Sequence, residues 1–360
     1  MRDGIMTRIN APLLPFEGPA AWKGEDLQNS VEIHKNISEL ESAEIMLAVK
    51  HTIDSGLDIS EITKADFNLP NLGRKLAKVY DEVVHGCGVM ILHGMPVDES
   101  RYSRDEVIRA YIGVGSWLGL PVSQNHKGHI VGHVKDINTD PNNKQTRIYT
   151  TAVKQPYHTD SADIVGLLCL KPCKSGGIFS VTSIYSIYNE ILRTRPELIE
   201  VLETPFIIDR KGEIPEGKGA TFEMAVFHRH EGRLLSMHDR TFIEAALERD
   251  DVAPLTELQI EALDLFDEIA AREDFFMDLE WKPGDMGFVH NHQCVHARTD
   301  YEDFPEFERR RHNVRLWLST NHGWSLPEVY AERYGPIELG IKRGGIVVPG
   351  MVLTCPLEAE

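Results

Sequence analysis

The sequence predicts a mainly β protein with flanking α-helices, built on a sandwich or jelly-roll core. Short strand-like runs dominate after about residue 120, at 148–151, 164–170, 178–182, 222–227, 233–237, 276–280, 287–291 and 313–319. Several are rich in β-branched and aromatic side chains and bounded by turn residues, as strands are. Helical periodicity is concentrated in the opening third and in two later segments, 185–203 and 257–271. No G-x-G-x-x-G follows a strand-like run, so a dinucleotide-binding fold lacks support.

Taken in order, residues 1–36 carry Pro12, Pro15, Gly18 and Pro19 and read as an irregular lead-in. Ser38 with Glu41 three positions later is a capping-box pattern, and Leu40, Ala43, Leu47 and Ala48 supply a helical apolar face behind it. Leu72, Leu76, Val79 and Val83 repeat that period over 72–84. Residues 88–94 form a short buried strand closed by glycine, and Ser103 with Glu106 opens another helix ahead of Val107, Tyr111 and Val114. No repeat, low-complexity run or linker interrupts the chain. Residues 1–360 are therefore expected to form a single domain: 1–85 as irregular and helical lead-in, about 85–345 as the jelly-roll core with helical insertions, and 338–360 as a Gly- and Pro-containing tail.

Hydrophobic residues make up 42% and charged residues 26% of the 360 residues, enough apolar side chain for a sizeable core. A formal charge of −18 repels phosphate backbones and anionic lipid, so nucleic-acid and membrane-surface partners are disfavoured. Cys87, Cys169, Cys173, Cys294 and Cys355 include no C-x-x-C pair and read as reduced thiols of a cytoplasmic protein. The N-terminus lacks an uninterrupted apolar signal segment, and the longest apolar stretch, 83–92, is broken by His85, Gly86 and Gly88. The pattern assigns no oligomeric state.

The chemistry centres on His158-Thr159-Asp160. On an extended strand residues i and i+2 face one side, so both side chains can meet one metal. The tripeptide alone means little in a chain with 16 histidines. Downstream, a Pro283-Gly284-Asp285 turn leads into a strand-like run, followed by His296-Ala297-Arg298, and then Arg311, Asn313 and Arg315 ahead of Leu316-Trp317-Leu318. Residues 311, 313 and 315 of a strand share a face, so two guanidinium groups are expected to point one way. Arginines on a hydrophobic strand are costly unless they meet anions. Two histidines and a carboxylate suit Fe(II) and leave coordination positions open. A nearby arginine matches a carboxylate bidentately, which suits a keto acid chelating the metal.

Tyr157-His158-Thr159-Asp160, the Lys174-Ser175-Gly176-Gly177 turn, Pro283-Gly284-Asp285, Val295-His296-Ala297-Arg298 and Arg311…Arg315 occur in register. In that order they resemble the taurine dioxygenase family, the clavaminate-synthase-like Fe(II)/2-oxoglutarate-dependent oxygenases, from about residue 85 to 345. The resemblance implies a double-stranded β-helix (jelly-roll, cupin-like) core, with His158, Asp160 and His296 as iron ligands and Arg311 anchoring the distal carboxylate of 2-oxoglutarate. It implies that Arg315 meets a substrate anion or the co-substrate's other carboxylate. It further implies that 2-oxoglutarate and O2 are consumed, with succinate and CO2 released, as an aliphatic C–H is oxidised. One departure stands out: relatives often place a threonine two residues after the Gly-Gly pair to help bind 2-oxoglutarate, and here that position is Phe179. Thr182 is a neighbour able to replace its hydroxyl.

Gln155, Ser161, His290 and Asn291 flank the ligand positions and are expected substrate contacts, the substrate being a small, carboxylate-bearing or amino-acid-like metabolite. His126, His129 and His133 read as surface or satisfied core histidines, and His228, His230 and His238 as the polar edges of a hairpin. Two rival classes share the scaffold. A zinc or manganese cupin-type hydrolase or isomerase would not need the paired arginines or 2-oxoglutarate. A non-catalytic jelly-roll binding protein would not need an intact ligand triad.

Overall fold

The computed structural model describes residues 13–141 and 146–360. Two β-sheets face each other. The larger runs His34–Asn36, Val89–His93, Met286–His290, Ile164–Lys171, His312–Ser319 and Leu120–Pro121, with Val131–Val134 also paired to His312–Ser319. Its pairs are antiparallel except the first, His34–Asn36 with Val89–His93. The smaller sheet is antiparallel throughout: Phe276–Leu279, Phe179–Ser183, Cys294–Arg298 and Gln155–His158. The chain repeatedly crosses between them. Gln155–His158 lies in the small sheet, Ile164–Lys171 in the large, Phe179–Ser183 in the small, and later Met286–His290, Cys294–Arg298 and His312–Ser319 alternate large, small, large. That alternation is the winding of a jelly roll.

The local signals explain most elements. Ser38 and Ser103 cap Glu39–Asp54 and Arg104–Gly115 as complete capping boxes with Glu41 and Glu106. Leu72, Leu76, Val79 and Val83 form the buried stripe of Leu72–His85. The Pro283-Gly284-Asp285 turn uses a left-handed Gly284, φ 87°, and a Cβ there would stand 2.7 Å from the Met95 carbonyl oxygen.

Three sequence expectations are corrected. The run 148–151 is a 3₁₀ turn, Ile148–Thr150, with no buried side chain, because no neighbouring strand takes it up. The helix expected over 185–203 is two, Ile184–Thr194 and Glu197–Leu202, divided at Pro196, which has no N–H to continue the ladder. The run 222–227 also splits: Thr221–Met224 pairs with Phe206–Asp209, and Phe227–His230 forms a hairpin with Arg233–Ser236.

The tail is tied to the core. Asp163, fully buried, accepts from His292 Nε2 (2.9 Å), from Arg343 Nε (2.9 Å) and from the backbone N–H and hydroxyl of Thr320. Arg343 donates its other nitrogens to the Ile337 and Trp324 carbonyls. Gly345 N–H then donates to the Ser161 carbonyl, one residue past Asp160. Among the described residues no helix is long and apolar enough to cross a membrane.

Candidate metal centre and substrate cleft

His158 ends the strand Gln155–His158 and is the direct cross-strand partner of His296 on Cys294–Arg298. Their rings lie 4.3 Å apart, and all three residues, with Asp160, are buried. His158 Nε2 stands 3.8 Å from Asp160 Oδ1 and His296 Nε2 3.6 Å from Asp160 Oδ2. One ligand atom from each of the three lies within 4.8 Å of the others, the only such group of three or more among the described residues. A ladder register (158 against 296) and the i+2 spacing (158 to 160) thus converge on one point.

The surroundings set the donor atoms. His158 Nδ1 is 2.9 Å from the Pro156 carbonyl, which can only accept, so Nδ1 carries the proton and Nε2 keeps its lone pair. The Gln155 amide nitrogen donates to that Nε2 at 2.8 Å. Burial, then the neighbouring His296, pushes the His158 pKa down to about 4, so the ring is neutral at physiological pH. Burial alone would raise the Asp160 pKa. Arg315 and the two imidazoles outweigh it and hold the carboxyl well below the usual carboxylate range. Arg315 Nη1 lies 3.3 Å from both Asp160 oxygens and Trp317 Nε1 donates to Oδ2 at 3.0 Å. Arg315 is itself aimed by Gln124, whose Oε1 accepts from Nε at 2.8 Å, and by the Trp317 and Tyr149 rings.

Beside His158 and Asp160 opens a cleft lined by Gln155, Ser161, Arg315, Trp317, Tyr149 and Met237 among others. Gln155 and Ser161 both line this cleft. His290 and Asn291 do not line the cleft, which corrects that expectation. The large sheet carries His290 inward, where it packs on Trp324 and His292. Asn291 serves the turn behind the metal ligand: its Oδ1 accepts from Asp160 N–H (3.1 Å) and its Nδ2 donates to the Ala162 carbonyl (2.9 Å).

Arg311 and Arg315 line different cavities, so the expectation of two guanidinium groups pointing one way is also corrected. The ladder slips between His312 and Asn313, leaving Arg311 just outside the strand. Arg311 faces a second cavity with Gly177, Trp281, Asn313 and Cys173. Gly177, φ 64°, is left-handed there, and a Cβ would come 3.2 Å from Arg311 Nε. Arg311 and Arg298 both lie against the Tyr301 ring, at 5.1 and 5.0 Å. Burial and then Arg311 pull the Arg298 pKa down to about 10. Arg298 donates to the Thr151 and Val153 carbonyls, yet its Nε and Nη1, and Nη1 of Arg311, are buried without partners.

The sequence reading missed Arg298 and Trp317, although period-two counting finds both: 298 shares a face with His296, and 317 with Arg315. Gln124 carries no such signal of its role. Thr182 donates to the Ala270 carbonyl, and Phe179 packs on His296 and Trp281. His133 bonds His312 and the Pro356 carbonyl, a satisfied buried histidine, while His238 bonds Asp267 at the edge of the cleft.

A jelly roll presenting two histidines and one carboxylate around a point beside an open cleft defines a non-haem iron type of centre. The profile of the taurine catabolism dioxygenase TauD, TfdA family matches residues 55–317. The chain is 30% identical over 322 residues to the FR-33289 synthase of Streptomyces rubellomurinus, covering 87% of this chain and 93% of that protein. It is 30% identical over 318 residues to the taurine hydroxylase-like protein SAT17 of Stachybotrys chartarum, covering 85% and 80%. Among solved structures, an asparagine oxygenase in complex with Fe(II), 2S,3S-3-hydroxyasparagine and succinate superposes with a TM-score of 0.59 at 15% identity, over 80% of this chain and 93% of that one. The non-haem iron oxygenase OrfP, in complex with Fe and alpha-ketoglutaric acid, gives 0.59 at 13%, over 79% and 94%. The chain belongs to the TauD, TfdA family and is a 2-oxoglutarate-dependent non-haem iron dioxygenase, using Fe(II), 2-oxoglutarate and O2. Its residues fit those groups. The cluster supplies the ligand set, and the partnerless donors of Arg298 and Arg311 suit a buried carboxylate.

Proposed function

We propose that the chain oxidises an aliphatic C–H of a small, anionic, amino-acid-like metabolite in the cleft beside His158, Asp160 and His296, which hold the iron. The convergence of those three ligand atoms, with His158 and Asp160 lining the cleft wall, carries the reading. When bound, Fe(II) and 2-oxoglutarate supply the oxidising power, with succinate and CO2 as co-products. The protein's own share is positioning. His158 presents Nε2 because Pro156 holds the proton on Nδ1. Arg315 and Trp317 fix the Asp160 carboxylate so that it need not reorganise. Were His158 Nε2 to hold the metal, the Gln155 amide that now donates to it would be free to turn toward substrate. Phe179 and Trp281 wall the metal side of the core with apolar surface.

Arg311 receives the distal carboxylate of 2-oxoglutarate, with Arg298 in place of the hydroxyl that Phe179 lacks. Phe179 and Arg298 are cross-strand partners, so the exchange needs no shift of backbone. The amino-acid reading draws on relatives of the fold: one solved asparagine oxygenase holds a hydroxyasparagine, and OrfP a hydroxy-L-Arg. The free state of all five cysteines supports a cytoplasmic setting.

Removing one partner of a buried charge pair costs about 2 kcal/mol or more, roughly a 30-fold rise in Kd. Arg311→Leu, and to a similar degree Arg298→Leu, should therefore weaken 2-oxoglutarate binding at constant metal affinity, measured by calorimetric titration of Mn(II)-loaded protein. An unchanged Kd in Arg311→Leu moves the co-substrate elsewhere. Arg315→Leu should strike metal and substrate binding together, because Arg315 also holds Asp160. A substrate KM effect with metal affinity intact would reduce that contact to a bystander.

A further inference from the structure

Besides Arg315, the cleft carries three more cations, unusual for a chain of charge −18. Arg147, Lys211 and Arg333 all line it. Glu213, buried beside them, accepts from Arg147 at 2.8 Å. Two further carboxylates stand near, Asp239 on the cleft wall itself and Asp209 behind Lys211. Asp209 accepts from the Lys211 backbone N–H and lies 3.6 Å from Arg249, and Asp239 caps the helix Arg240–Leu247 through Thr241. Among the described residues, no ion pair reaches Lys211 or Arg333. Lys211 Nζ rests 4.4 Å over the Phe242 ring, and Arg333 Nε donates only to the Ser161 hydroxyl, at 2.6 Å. Arg147 thus has Glu213, while Lys211 and Arg333 have no ion-pair partner among the described residues, and Lys211 feels the Asp239 carboxylate on the same wall only at longer range.

Cations withdrawn from water without partners are costly, and burial accordingly pulls the Arg333 pKa down to about 10 and lowers that of Lys211. The arrangement becomes favourable when an anion enters. We propose that Lys211 and Arg333, flanked by Arg147, form a dianion subsite that recognises the headgroup of the substrate, the Ser161 hydroxyl holding Arg333 in place. Two substrate features follow: a doubly charged group at this wall, and a carbon skeleton reaching from it to His158 and Asp160, which line the same cleft. The dianion is either one phosphoryl-type group or a pair of carboxylates. The proposal rests on the reading of this cleft as the substrate site.

The test needs neither iron nor turnover. Inorganic phosphate, malonate and acetate are titrated calorimetrically into the full chain carrying Arg311→Leu, which removes the co-substrate's anchor as a competing site. Phosphate or malonate should bind at least about tenfold more tightly than acetate, and that binding should be lost in Lys211→Met and in Arg333→Gln. Lys211→Arg should retain it, guarding against a folding defect. Phosphate alone assigns a phosphoryl-type group, and malonate alone a dicarboxylate. Equal binding of acetate, no binding of either dianion, or binding indifferent to both substitutions overturns the subsite. Failure of the Fe(II)/2-oxoglutarate titration with dianion binding intact would instead count against the oxygenase site and leave the subsite standing.

Discussion

Apo-protein titrated anaerobically with Fe(II) and 2-oxoglutarate should develop the weak visible charge-transfer band of the chelate near one equivalent, and His158→Ala should show none. The expectation follows from how few alternatives the site offers. His158 is held with Nε2 toward Asp160 and His296, and no further His, Cys, Asp or Glu joins that group among the described residues. Alanine removes one of three ligands and leaves only Asp160 and His296 to hold the metal. Bound iron, assayed after desalting, should fall in parallel. A full band in His158→Ala would remove it from the ligand set. No band in folded wild-type protein would favour zinc or manganese chemistry on the same scaffold.

Arg343→Met should destabilise the fold by about 3–5 kcal/mol, the cost of stripping one partner from a buried ion pair. Asp163 and Arg343 are both fully buried, and Asp163 stays ionised only because His292 and Arg343 outweigh the penalty of its burial. The denaturant midpoint should fall accordingly, and Asp163→Asn added to Arg343→Met should recover part of the loss, since the orphaned charge is then gone. A single variant within about 1 kcal/mol of wild type would mean that water reaches Asp163 when Arg343 is removed.

Much of this molecule is written locally. The strands around residues 164, 179, 286 and 312 follow from short β-branched and aromatic runs bounded by turn residues, and the metal cluster from the i+2 spacing of His158 and Asp160 with one distant histidine. Patterning fails where a tertiary partner decides. The ladder slip at His312 sends Arg311 to a different cavity from Arg315, and nothing in the residue order marks a slip. Residues 148–151 carry β-branched side chains but find no neighbouring strand. Lys211 and Arg333 reach the cleft from a turn and from a short helix near the tail, brought together by packing alone. His290 has the right address in the sequence and faces the wrong layer.

The pairing of His158 with His296 joins strands more than a third of the chain apart, with helices and a hairpin inserted between them. Contacts so remote are made late, after the chain has met the entropy of closing that long loop. Iron therefore cannot nucleate this fold in the way zinc organises a finger, whose ligands are neighbours. Chelation should yield a folded, reloadable protein rather than a denatured one. The cell can then complete synthesis first and supply the metal afterwards.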